Sequence, residues 1–367
     1  MKILIAPNAF KNSLTADAAA TAILQGLRQS RLSFTGECFP IGDGGDGTGD
    51  LLIKRLGATL VEAPVHDPLG RPRRASFGLA GEIAIIEMAS ASGIRLLKRE
   101  ELDPLHTLSL GTGELIGAAL DHGARRIILG MGGSATVDGG VGILTALGIR
   151  FSGTAIDTTG LDPRLAGARL TVLCDVNNAL LGPRGAAAVF GPQKGATPEA
   201  VRQLETRLQN LAGLIQKTTG KEIGALPKGG TAGGAAAGLY GLLDADLVNG
   251  IDYFLQLTGF DKSLADADLL ITGEGSIDEQ TLQGKAPFGV ALRAKEKGIP
   301  VIGLAGRLPQ VTTKLDEYFD VLLPINHQLL HPAKALQQTA ANLTATAKAI
   351  GNLLAARSPD TSLPRQQ

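Results

Sequence analysis

Three short apolar runs, each handing over to a loop of glycine, hydroxyl and carboxylate residues, leave this chain few folds to choose from. RRIIL precedes GMGGSATVDGG (Gly130 to Gly140), a run ending at Ile41 precedes GDGGDGTGD (Gly42 to Asp50), and DLLI precedes TGEGSIDEQTLQGK (Thr272 to Lys285). Runs of this length read as buried strands. Strands that end in glycine loops and continue into helices belong to parallel α/β sheets, whose ligands sit at the carboxyl ends of the strands. Glycine lets a ligand approach backbone N–H groups closely, and a helix that starts after the loop favours negative charge, so the expected ligand is a phosphate. Gly132, Gly133, Ser134 and Asp138 are the candidates in the first loop, Asp43 and Asp46 in the second, and Glu274, Ser276 and Asp278 in the third. Carboxylates beside phosphate-binding amides suit a hard cation such as Mg²⁺ shared with a nucleotide, and Glu274 and Asp278 are its expected ligands.

Other readings compete at each position. Gly130 to Ala135 also fits the G-x-G-x-x-A dinucleotide fingerprint, although Thr136 to Gly140 prolong the loop where a Rossmann helix should open. A Walker sequence and the protein-kinase H-R-D set are both missing, so a phosphotransferase must use a less common architecture. Asp43, Asp46, Glu274, Ser276 and Asp278 could equally cap turns or helices. Lys11 and Lys285 lie beside the loops, where a lysine can neutralise a transferring phosphoryl group or hold a substrate carboxylate. The alternative, a solvated surface lysine, applies to both and with more force to Lys194. Asp175 ends the run RLTVLCD and is followed by Val176 and Asn177, which suits substrate hydroxyls or an Asx turn. The scattered histidines, His66 and His106 among them, are not expected to act as a catalytic base.

At 367 residues the chain suggests two domains. Lysine plus arginine balance aspartate plus glutamate at 35 each, which removes the electrostatic case for nucleic acid or an anionic membrane. Cys38 and Cys174 lack metal-ligand spacing and fit a reducing compartment. No apolar stretch approaches the ~18 residues of a membrane span and the start has no signal-peptide pattern, so a cytoplasmic location is expected. Strand and helix patterns at the two ends read as halves of one sheet, with helices expected near 15–28, capped at Thr15, 49–56, 287–297 and 332–357, and another between them near 198–214, capped at Thr197 with proline at its first position. The proline-rich APVHDPLGRPRR (63–74) reads as a crossing into a second domain. The expected fold is two α/β domains: a discontinuous, parallel-sheet, Rossmann/flavodoxin-like domain from 1–64 and 286–357, and an inserted one from 65–285. Residues 358–367 are expected to form a mobile tail.

With those residues in hand, the chain closely resembles the bacterial glycerate kinase family of glyoxylate and glucarate breakdown. The resemblance runs from Met1 to about Arg357. It rests on APNAFKNSLTA (6–16), PIGDGGDGT (40–48), GTGELI (111–116), GMGGSATVDGG, CDVNNALLGPRGAA from Cys174, FGPQKGA from Phe190, GGTAGGAAAGL from Gly229 and TGEGSIDEQTLQGKAP from Thr272. It implies ATP-dependent phosphorylation of D-glycerate, with an active site in the cleft between two α/β domains. The branch it resembles is associated with the 2-hydroxyl, so 2-phospho-D-glycerate is the expected product and phosphorylation at the 3-hydroxyl the alternative. The resemblance names no general base. On it, Asp43, Asp46, Asp138, Lys11 and Lys285 become the catalytic candidates. Gly132, Gly133, Ser134, Asp175, Asn177 and Ser276 are then expected to bind substrate or phosphate. The readings from other classes are an NAD-linked hydroxyacid dehydrogenase and a non-catalytic nucleotide or sugar-acid sensor. Small molecules, rather than nucleic acid or membrane, are the expected partners, and a homo-oligomer is compatible with all of this.

Overall fold

The protein is described here from a computed structural model covering residues 1–311, 314–326 and 332–357. The expected tail at 358–367 lies outside the described residues. Thirteen strands occur among the described residues. The first six are β1 (Lys2–Pro7), β2 (Thr35–Cys38), β3 (Thr59–His66), β4 (Pro72–Ala80), β5 (Ile83–Glu87) and β6 (Arg126–Gly130). There follow β7 (Arg150–Phe151), β8 (Ile156–Asp157), β9 (Arg169–Cys174), β10 (Asp246–Asn249), β11 (Leu269–Ser276), β12 (Val301–Arg307) and β13 (Val321–Pro324). The chain is an α/β protein that divides into two compact units, one built from Met1–Gly42 and Leu255–Gln367 and the other from Asp43–Phe254.

The first unit carries a five-stranded, all-parallel sheet in the order β13-β12-β11-β1-β2. Counted within the unit this is the flavodoxin-like order 2-1-3-4-5, and the winding direction reverses between β1 and β11. Ile3, Leu4, Ile5 and Ala6 are completely buried, as a strand covered on both faces requires. Helix Ala16–Arg28 starts as expected at Thr15, whose hydroxyl accepts the Ala18 amide at 3.2 Å, and puts Ala19, Ile23 and Leu27 into the core with Leu343 and Ala347. The single helix expected over 332–357 is two, Pro332–Gln337 and Thr339–Arg357. At the break the Thr339 hydroxyl bonds back to the Leu336 carbonyl at 3.0 Å, a local bond that competes with the helical ladder.

The second unit has a six-stranded sheet in the order β10-β9-β6-β5-β4-β3, parallel from β5 to β10 and antiparallel at the β3 and β4 edge. Its core runs from Ala63 and Phe77 through Ile127 and Leu129 to Val172 and Leu239. A second apolar cluster lies under helix Pro198–Thr219, capped at Thr197 as its sequence suggests.

Two sequence expectations change here. Residues 63–74 do not cross between domains but form the β3–β4 hairpin, with Asp67 accepting the Leu69 and Arg71 amides at 2.9 and 3.0 Å in the turn. Pro64 is tolerated because β3 is an edge strand, and Pro72 because it opens β4. The boundaries fall at 42/43 and 254/255 rather than at 64/65 and 285/286. The strand DLLI belongs to the first unit, as β11 beside β1. A buried parallel strand reads the same whichever sheet receives it. Among the described residues no helix is long and apolar enough to cross a membrane.

Candidate active site

In the second unit the parallel strands deliver their carboxyl ends to one edge, so that Glu87, the Gly130–Gly140 loop, Asp175 and Gly250 arrive together. The Asp43–Gly47 loop lies over this edge. Its Gly44 carbonyl accepts the Met131 and Gly132 amides at 3.1 and 3.2 Å. A side chain at Gly45 would meet Asp43 Oδ1 at 2.9 Å and Asp175 Oδ2 at 3.7 Å, so these two carboxylates flank the same glycine. Gly132 has no room for a Cβ, which would sit 2.2 Å from the Asp46 amide nitrogen. Asp43, Asp46, Gly132, Gly133 and Asp175 are therefore brought together, while Asn177 points to solvent further along its loop.

Between these loops opens a polar cleft of about 190 Å³, lined by Asp46, Glu87, Ala89, Ser90, Arg95 and Gly133. Arg95 Nη2 pairs with Asp46 Oδ2 at 2.6 Å, and the Arg95 side chain is three-quarters exposed. Glu87 takes the Gly49 amide at 2.6 Å, at the start of helix Thr48–Leu56. Burial pushes its carboxyl up to about 7 against that hydrogen bond, and the nearby Asp50 and Asp46 charges push the same way. The sequence reading did not single out Glu87 or Arg95. Glu87 carried the signal used for Asp175, a carboxylate closing an apolar run (IAIIE), whereas nothing near Arg95 marks it.

The Gly130–Gly140 loop is not the open amide cradle its composition suggests. Besides Met131 and Gly132, the Ala135 amide goes to Ser92 O (2.9 Å) and the Gly139 amide to Gly233 O (3.1 Å). The glycine run 229–234 is the packing partner of this loop, and a Cβ at Gly233 would lie 2.0 Å from Thr136 O. Asp138, expected at the ligand, instead holds the loop's exit. Its Oδ2 accepts the Ser109 hydroxyl (2.7 Å), the Ser109 amide (2.9 Å) and the Gly142 amide (3.1 Å), and its Oδ1 accepts the Gly140 amide (3.0 Å). The helix after the loop starts only at Val141, so the dinucleotide fingerprint lacks the helix N-terminus it needs. Lys194, by default a surface residue, is 3% exposed, and its Nζ donates to Ser134 Oγ (2.8 Å) and Thr136 O (2.7 Å).

In the first unit the switch point between β1 and β11 collects the other candidates. Lys11 follows β1 and is exposed, and its amide nitrogen would lie 3.5 Å from a Cβ on Gly275. Buried Glu274 accepts the Thr281 hydroxyl at 3.0 Å. That hydroxyl oxygen in turn accepts the Asp278 amide at 3.1 Å, while Asp278 Oδ1 takes the Gln280 amide at 2.9 Å. Ser276 ends β11, and Lys285 is the N-cap residue of helix Ala286–Glu296. Among the described residues no three His, Cys, Asp or Glu side chains gather as a ready-made metal cage. The donors here are oxygens, in ones and twos, which suits an ion such as Mg²⁺ that brings waters and phosphate oxygens of its own. A larger cavity of about 420 Å³, lined by Asp162, Arg169, Leu242 and Asp244 among others, opens at the amino end of β9, away from the catalytic edge of such sheets.

Sheets that carry acid- and glycine-rich loops at the carboxyl ends of their parallel strands define an α/β protein of the class that binds ligands there. The glycerate kinase family profile matches residues 3–355. A glycerate kinase of Bacillus subtilis is 42% identical over 95% of this chain and 98% of its own length. A glycerate 2-kinase of Escherichia coli is 43% identical over 84% of this chain and 86% of its own. A crystal structure from Salmonella typhimurium LT2, of a protein assigned to glycerate kinase 2, superposes with a TM-score of 0.81 at 42% identity, covering 97% of this chain and 98% of that one. The chain belongs to the glycerate kinase family and is an enzyme.

Proposed function

We propose that the protein is a cytoplasmic kinase that transfers the γ-phosphoryl group of ATP to D-glycerate, with the 2-hydroxyl as acceptor. The observation that carries this reading is the cleft in which Asp46, Glu87, Ser90 and Arg95 converge at the carboxyl edge of the second sheet. Glycerate is a carboxylate flanked by hydroxyls, and the cleft offers a guanidinium for the first and carboxylates for the second. Arg95 anchors the substrate carboxylate, releasing Asp46 to accept the proton of the attacking hydroxyl. Asp43 and Asp175 orient that hydroxyl and its neighbour. In the first unit Lys11, Lys285 and Ser276 bind phosphate oxygens, and Glu274 and Asp278 would hold Mg²⁺, which neutralises charge on the transferring group when bound. Anchoring the carboxylate is what directs chemistry to the secondary hydroxyl, since reactivity alone favours the primary one. The names of the relatives, glycerate kinase and glycerate 2-kinase, support both parts of the proposal.

The test is ATP turnover dependent on D-glycerate and Mg²⁺, with the product coupled to enolase and no phosphoglycerate mutase added. Signal without the mutase is expected. A strict mutase requirement would move the acceptor to carbon 3, and absence of glycerate-dependent turnover would overturn the reading.

A further inference from the structure

The buried cation beneath the glycine loop has no part in the chemistry above. Lys194 ends the short turn Pro192–Lys194, and the turn is pressed against the chain at Leu102, whose carbonyl oxygen a Cβ on Gly195 would meet at 2.2 Å. From there the side chain runs under the Gly130–Gly140 loop, where Nζ reaches Ser134 Oγ and Thr136 O. The hydroxyl of the same Thr136 is completely buried and has no hydrogen-bond partner among the described residues. Ser134 is itself 7% exposed, next to Gly133 at the lip of the cleft.

An ammonium has three donors and no acceptor. With Lys194 charged, Ser134 Oγ therefore accepts from it, and the serine's own proton points away from Nζ. We propose that Lys194 is the positioning residue that turns the Ser134 hydroxyl into a fixed donor toward an anionic oxygen of the bound substrates, the glycerate carboxylate or a phosphoryl oxygen of ATP. Resting on the kinase reading for its ligands, the proposal adds a buried charge that makes the loop attractive to anions although its amides are largely spoken for. Burial pushes the Lys194 ammonium down to about 7 while the Asp138 charge opposes the shift, and an arriving anion favours the charged form further.

The test titrates Mg²⁺-ATP and, separately, D-glycerate calorimetrically into the wild-type protein, Lys194→Met, Ser134→Ala and the double variant, alongside thermal melts. Each single variant should lose affinity for the same ligand by about tenfold or more, the scale of a hydrogen bond to a charged group. The double variant should fall no further than about threefold below the weaker single one, because both changes remove one donor. Loss for ATP identifies a phosphoryl oxygen, and loss for glycerate identifies the carboxylate. Unchanged affinity for both ligands in Ser134→Ala, additive losses, or a Lys194→Met protein that melts earlier yet binds normally would each overturn the proposal. Lys194→Gln replaces Lys194→Met, with the same outcomes, should the latter not melt cooperatively. Since these titrations read binding, a wild-type protein that binds glycerate without phosphorylating it would count against the kinase reading and leave this result standing.

Discussion

At the residue scale, Glu87 and Asp46 are two carboxylates of one cleft held in opposite electrical conditions. Glu87 has a folded pKa raised from 4.5 to about 7, so between those values the folded protein binds a proton that the unfolded chain has released. The sign follows from linkage: stability falls as pH rises through that window, by an amount on the order of 3 kcal/mol at most. Glu87→Gln should remove the slope, which chemical denaturation at pH 5 and pH 7.5 will measure. Equal slopes in both proteins would show that the carboxyl ionises as freely folded as unfolded. Asp46 faces the same cleft but is exposed and paired with Arg95. Asp46→Asn should fold normally and lose at least about 100-fold in kcat, the scale of general-base removal. Arg95→Ala should mainly raise KM for glycerate and leave that for ATP near its original value, and initial-rate kinetics in both substrates separates the two.

At the level of elements, the site is made by loops that touch backbone to backbone, and its glycines serve that contact. A methyl at Gly132 would run into the Asp46 amide, so Gly132→Ala should cost about 1–3 kcal/mol and displace Asp46 with it. A variant with unchanged melting temperature and turnover would mean that the two loops part at no cost. This is also where sequence reading stopped. Most of the parallel strands, the helices near 15–28, 49–56 and 287–297, and the Thr15 and Thr197 caps were legible because periodicity and capping are local, whereas the β3–β4 hairpin was read as a crossing. That Asp43, Asp46 and Asp175 lie in loops following strands was legible as well, since a carboxylate after an apolar run is a local pattern. By contrast, Asp138 looked like a ligand and is a cap, because its partner Ser109 is remote in sequence. Glycines 130–140 and 229–234 looked like separate loops, and only the folded chain shows that one is the other's packing partner. Lys194 could not be told from a surface lysine, since burial is decided by the loop that closes over it.

On the scale of the whole molecule, the second unit is one continuous stretch with its own sheet and apolar cores, whereas the first is assembled from both ends of the chain. A fragment of residues 43–254 should therefore melt cooperatively by itself, and a noncooperative melt would show that it depends on the remainder. The strand order of the first unit carries a further consequence. Ile3 of β1 pairs with Leu269 of β11, so the central seam of that sheet joins parts of the chain made far apart in time. On the ribosome β1 and β2 emerge before β11, and the side of β1 destined for β11 stays uncovered until the whole insert has been synthesised. The insert has its neighbours at hand and folds meanwhile. Nascent chains are thus exposed to mispairing and to chaperone capture through β1, and a ribosome that stalls before Ser276 leaves a finished second unit tethered to an unfinished sheet.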